Sequence, residues 1–157
     1  SDAETLRARM YAKKEEIVQK DGFPQIPGVK EAIKRLHDEG FRLEVASSSA
    51  GYYIGRVLDA LEIRQYFECY TSGEEVEHPK PAPDTFLRAM EKLNLKPEDC
   101  IIVEDSTNGG KAAAAAGAKC VWFHNPDSGD QQIPHAVLTI TSWSPENVDK
   151  LIDLMHA

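Results

Sequence analysis

Ile101-Ile102-Val103-Glu104-Asp105-Ser106-Thr107-Asn108-Gly109-Gly110 is the stretch on which the reading of this chain turns, together with the alanine-rich run that follows it to Gly117. Apolar β-branched residues predict a strand. Two adjacent carboxylates end it, a small polar turn follows, and then comes a helix of unusually small side chains. In an open parallel sheet, ligands bind beyond the carboxyl ends of the strands. Two carboxylates at such an end suit Mg²⁺, a hard cation that prefers oxygen ligands and often comes with phosphate. The same residues also read as an acidic cap, with Asp105 at the helix N-terminus and Glu104 favouring its dipole. The stretch alone leaves both readings open.

Two further segments bear on the choice. Phe41-Arg42-Leu43-Glu44-Val45-Ala46-Ser47-Ser48-Ser49 is again a strand that ends in small hydroxyl residues and runs into a helix. Hydroxyls and backbone N–H groups at a helix N-terminus can cradle phosphate. An ordinary serine cap is the simpler account, and for Ser49 it is preferred. His78-Pro79-Lys80-Pro81-Ala82-Pro83-Asp84-Thr85-Phe86 places a lysine between two prolines that stiffen the backbone. Most lysines are solvated surface charges. One held in such a loop just before a helix is aimed at something, and near Glu104 and Asp105 it would offset carboxylate repulsion and attract a phosphate.

The remainder alternates helix and strand. Strands are predicted at 43–46, 68–71, 100–104, 119–123 and 137–140. Helical stripes are Val29, Ala32, Ile33 and Leu36, ended by Gly40; Ile54, Val57, Leu58 and Leu61; and Phe86, Leu87, Met90 and Leu93. Ser144-Pro145 opens a last helix with Val148, Leu151, Ile152 and Met155 on its inner face. This alternation predicts an α/β fold, an open parallel sheet with helices on both faces. The run Ala112–Ala116 would let its helix lie close to the sheet and press the acidic loop against the neighbouring strand end. Residues 125–134 form the one long loop.

Composition narrows the function classes. A chain of 157 residues is one domain's worth, and its formal net charge of −8 argues against nucleic acid as a partner. No run approaches the roughly 20 apolar residues of a membrane span. Cys69, Cys100 and Cys120 are widely spaced and lack zinc-ligand spacing, so free thiols in a cytoplasmic protein are expected.

The order of hydroxyl, lysine and acidic pair, each beside a predicted strand, resembles the haloacid dehalogenase superfamily, in particular its β-phosphoglucomutase-like branch. Ile26-Pro27-Gly28-Val29, Gln65-Tyr66-Phe67 and Phe123-His124-Asn125-Pro126 extend the resemblance over about residues 22 to 143. It implies a Mg²⁺-dependent phosphatase of small phosphorylated metabolites working through an aspartyl-phosphate. Ser47 would bind the phosphoryl group and Ser48 add a backbone contact. Lys80 would orient nucleophile and phosphate, and Glu104 and Asp105 would hold Mg²⁺. A phosphomutase is one alternative, a non-catalytic phosphate-binding or interaction module another.

The resemblance has one departure. The family's nucleophile strand, DxDxT, does not occur in this sequence; Asp2 and Asp21 lack a preceding apolar strand. Residues 1–21, with Leu6, Met10 and Ile17 at helical spacing, look like the end of a helical cap, and 22–157 like a core domain without its first strand. The chain alone is then expected to be inactive. A complementing N-terminal fragment, a homodimer or direct pairing of the two flanking strands would have to satisfy the exposed strand edges. Lesser candidates are His78 and His124 near the site, Asn108 and Ser106 as supports of the carboxylates, with helix capping the simpler role for Ser106, and Tyr52, Tyr53 and Trp143 as packing residues.

Overall fold

The computed structural model describes residues 28–124 and 130–156. The expected cap segment, the Pro27 turn and Asn125 lie outside them. Among the described residues there are five strands: β1 (Glu44–Ser47), β2 (Cys69–Ser72), β3 (Ile101–Glu104), β4 (Lys119–Phe123) and β5 (Leu138–Ile140). Five α-helices are interspersed with them among the described residues: α1 (Val29–Asp38), α2 (Gly51–Ala60), α3 (Asp84–Leu93), α4 (Thr107–Ala116) and α5 (Pro145–His156). Every strand pairing is parallel, as short βα connections demand. Within each ladder the carboxyl ends of the strands therefore share one side.

Among the described residues the strands form two ladders, β1-β2 and β3-β4-β5, and β1 does not pair with β3. Side-chain packing nevertheless runs across both ladders. Val45, Val103, Val121 and Phe123 belong to one core with the apolar faces of α1, α2 and α5. Ala46, Ile102 and Cys120 point the other way, into a second core with α3 and α4. Successive strand residues thus alternate between two cores, which is why β1 and β3 are buried at every position. Trp143 stacks on Phe123 with ring centroids 5.2 Å apart and closes the first core beneath α5.

The helices carry the expected stripes with two departures. On α3, Leu87 is exposed, whereas Thr85 and Ala89 are buried, because the helix turns its 85–86–89–90–93 face to the sheet. Tyr52, expected to pack, is 72% exposed at the start of α2. Ends are well marked. Gly40 has φ +91° after α1, and Gly117 caps α4 at φ +82°, a conformation that favours glycine. Lys92 ties α3 to β2, donating to the Tyr70 carbonyl at 2.9 Å and pairing with Glu75 at 2.7 Å.

Candidate functional site

The site forms where Lys80 links the end of β1 to the end of β3. At the end of β1, Ser47 is 3% exposed, and its hydroxyl oxygen accepts from the Ser49 N–H at 3.2 Å. Ser48 follows in the turn, close enough to Gly73 that a Cβ there would lie 3.0 Å from the Ser48 Cα. Ser72, at the end of β2, donates its hydroxyl to the Ser49 carbonyl at 2.5 Å and accepts from the Glu74 N–H at 3.0 Å. The serine turn is thereby fastened to the neighbouring strand, and its shape is set before any ligand arrives.

At the end of β3, Glu104 and Asp105 are 2% and 4% exposed. Glu104 folds back over its own turn: Oε1 accepts from the Asp105 N–H at 3.0 Å and the Ser106 N–H at 3.4 Å, with the Ser106 hydroxyl also at 3.4 Å. Oε2 accepts from Lys80 Nζ at 3.3 Å. This arrangement needs Gly109, since a Cβ there would stand 2.0 Å from the Glu104 Cδ. Gly110 similarly lets Ile133 approach, with a Cβ meeting it at 2.9 Å. The small residues of α4 thus seat the helix against the acidic loop as well as against the sheet; Ala112, Ala113 and Ala116 are buried.

Ser106, rather than Asp105, caps α4, accepting from the Gly109 N–H at 2.9 Å. The Thr107 N–H donates to Gln131 Oε1 at 2.7 Å, and Thr107 Oγ1 accepts from the Gln132 N–H at 2.9 Å. Most of the first N–H groups of this turn and helix are therefore committed within the protein, so α4 offers little to an anion. Gln131 had no sequence signal: the contact joins residues 24 apart through a loop of ordinary composition.

Lys80 connects the two strand ends. Its ammonium reaches the Ala46 carbonyl at 3.5 Å and Glu104 at 3.3 Å, and it stands 4.4 Å from the centroid of the Phe86 ring. The loop that carries it is closed by the Ala82 N–H donating to the Pro79 carbonyl at 3.0 Å and the His78 N–H donating to Asp84 at 3.2 Å. Ser47, Lys80, Glu104 and Asp105 thus lie on the carboxyl-end side of the strands, with Lys80 at the joint. His78 is exposed, and Asn108 is exposed on α4. His124 stacks on Trp122 at 4.5 Å between centroids.

The donor set suits a small hard cation: two buried carboxylates side by side, with a lysine balancing one of them. Among the described residues no three metal-ligating side chains form a group, so two protein carboxylates are what the described part of the chain provides. The cysteines take no part. Burial pushes the Cys120 thiol up to about 12, and burial together with the charge of Glu44 does the same to Cys69. No helix among the described residues is long and apolar enough to cross a membrane.

Comparison with known proteins agrees with this fold. The family model described as haloacid dehalogenase-like hydrolase matches residues 1–123. Hexitol phosphatase B of Escherichia coli (strain K12) is 32% identical over 115 residues, 73% of this chain and 51% of that protein. Among solved structures, a putative beta-phosphoglucomutase from Thermotoga maritima is similar with TM-score 0.74 and 26% identity, over 92% of this chain and 66% of that one. CbbY from Rhodobacter sphaeroides in complex with phosphate is similar with TM-score 0.73 and 26% identity, over 86% of this chain and 63% of that one. The chain spans about half the length of the curated relatives it matches.

Proposed function

The chain belongs to the haloacid dehalogenase-like hydrolases, and from that premise we propose that it is the phosphate- and Mg²⁺-binding part of a phosphohydrolase acting on small phosphorylated metabolites of the sugar-phosphate type. One observation carries the reading. The Lys80 ammonium bridges the serine end of β1 and the acidic end of β3, through Ala46 at 3.5 Å and Glu104 at 3.3 Å. A buried lysine at that joint has no packing purpose that an apolar residue would not serve better. Its charge matches Glu104 and leaves donor capacity for an anion.

Each residue then has a task. The Ser47 hydroxyl and the Ser48 backbone face one side of a phosphoryl group, and Lys80 faces the other. Glu104 and Asp105 would hold Mg²⁺, which supplies Lewis-acid neutralisation of phosphoryl oxygens when bound. Lys80 and the serine hydroxyl stabilise charge on the phosphoryl oxygens as it develops. The nucleophile comes from elsewhere, since no DxDxT segment occurs in the sequence. We assign it to a strand laid between β1 and β3, on a segment other than these 157 residues; residues 1–21 are then the end of a cap and 22–157 the core. The beta-phosphoglucomutase similarity keeps a phosphomutase as the second reading, because both reactions need the same phosphate grip.

The test is a titration of this chain with inorganic phosphate and millimolar Mg²⁺, followed by NMR, beside Asp105→Asn and Lys80→Ala. Phosphate binding that requires Lys80, with Mg²⁺ binding that requires Asp105, is expected, and turnover of a small phosphomonoester by the chain alone should be negligible. Equal binding by wild type and both variants would defeat the site assignment. Robust turnover abolished by Asp105→Asn would defeat the assignment of the nucleophile to another segment.

A further inference from the structure

The two oxygen contacts of Lys80 do not by themselves fix its head group. At 3.3 and 3.5 Å both are longer than the roughly 2.7–2.9 Å of a strong charge-assisted bond. The third neighbour is of a different kind: the ammonium lies over the Phe86 ring, 4.4 Å from its centroid. Phe86 is fully buried and set in the second core among Ala46, Ala89, Met90 and Ile102. It cannot retreat, and its π face carries the negative end of the ring quadrupole. Lys80 itself keeps only 10% of its side chain exposed, so this attraction acts with little competing water.

We propose that Phe86 is the positioning residue of this site: its ring face holds the charged Lys80 head group at the joint between β1 and β3. The ammonium then has a carbonyl, a carboxylate and a ring around it, and its remaining donor capacity faces the strand ends. The inference rests on the reading of Lys80 as the phosphate ligand, but it concerns what places that ligand. A leucine would fill a similar part of the core and offer no negative face. The loop and the helix supply the two partners six residues apart, lysine between Pro79 and Pro81 and phenylalanine on the first turn of α3.

The experiment separates ring electrostatics from ring volume. Phe86 is replaced in the full chain by mono-, di- and trifluorophenylalanine, which keep the shape and progressively weaken the π face. Two quantities are read: the NMR shift of the Lys80 ε-methylene protons, and the affinity for inorganic phosphate. In the wild type the ring current is expected to move the Lys80 resonance upfield of the exposed lysines. That displacement should shrink with each fluorine, and phosphate affinity should fall about tenfold across the series. Phe86→Leu should abolish the displacement. A Lys80 resonance among those of exposed lysines in the wild type overturns the proposal, as does a displacement and affinity unchanged by fluorination. If the displacement follows fluorination while the wild type binds no phosphate, the positioning role stands and the phosphate role of Lys80 falls.

Discussion

Two glutamates are closed off from solvent at opposite ends of neighbouring strands, and they are treated differently. Glu104, at the carboxyl end of β3, has partners on both oxygens: the N–H groups of its own turn on one and Lys80 on the other. Glu44, at the amino end of β1, is 0% exposed. One of its oxygens accepts from the Thr71 hydroxyl at 2.5 Å, while the other is buried without a hydrogen-bond partner. Burial pushes the Glu44 carboxyl up to about 7, although Thr71 and Cys69 hydrogen bonds and the charge of Lys92 pull the other way. Equal burial thus gives unequal chemistry, and the difference lies in how many donors the fold brings. At Glu104 the fold brings a lysine and the amides of the turn to the carboxylate. At Glu44 it brings a hydroxyl and a thiol but, among the described residues, no cation in contact, and a titratable group is left inside a core.

The comparison breaks most directly at Lys80. Lys80→Met keeps the aliphatic stem and leaves Glu104 buried without its cation, which should cost about 4 kcal/mol of stability. Urea unfolding at pH 7 measures this. A loss below about 1 kcal/mol would mean that the turn amides alone suffice for the charge.

At Glu44 the effect should depend on pH. Its carboxyl binds a proton more tightly folded than unfolded, so the stability from that proton is fully present below the ordinary carboxylate range. It is lost as pH rises through about 7. Glu44→Gln should therefore gain on the wild type between about pH 4.5 and 7, by up to about 3 kcal/mol, and hold a constant margin above that. Parallel unfolding curves for the two proteins across this window would remove the contrast.

The smallest expected effect tests the glycine that seats Glu104. Gly109→Ala should push the carboxylate off its turn and cost about 2 kcal/mol, with Lys80 contacts altered in the NMR spectrum. A variant as stable as wild type with Lys80 unperturbed would show that the turn has more room than the 2.0 Å approach allows.

Much of this fold was legible locally. β-branched runs, glycine stops, the Ser144-Pro145 helix start and the alanine run marked the elements, and β1, β2, β3 and β5 each begin one residue later than expected. Ser47, Glu104 and Asp105 stood out as candidates because they stand where a strand gives way to a turn, and Lys80 because prolines flank it in the loop before α3. What sequence did not reveal depends on distant neighbours. Nothing local distinguishes a buried Glu44 from a solvated one, because in a parallel sheet both faces are covered and alternation carries no sign. The Phe86 contact with Lys80 and the hold of Gln131 on Thr107 arise from loop paths that no periodicity encodes. Leu87 faces outward because the axial rotation of α3 is set by its packing on β1 and β2.

The two cores have a consequence for how the molecule comes apart. Val45 and Val103 share one of them, and Ala46 and Ile102 the other, so the side chains of β1 and β3 lose their partners together. Melting the β1-β2 half alone would strip one side of both cores while returning no backbone bonds to the β3 edge. Unfolding is then a single cooperative event, despite the interruption in the ladder. The seam between β1 and β3 divides hydrogen bonding without dividing stability, so backbone can be exchanged along it while both layers of helices stay in place.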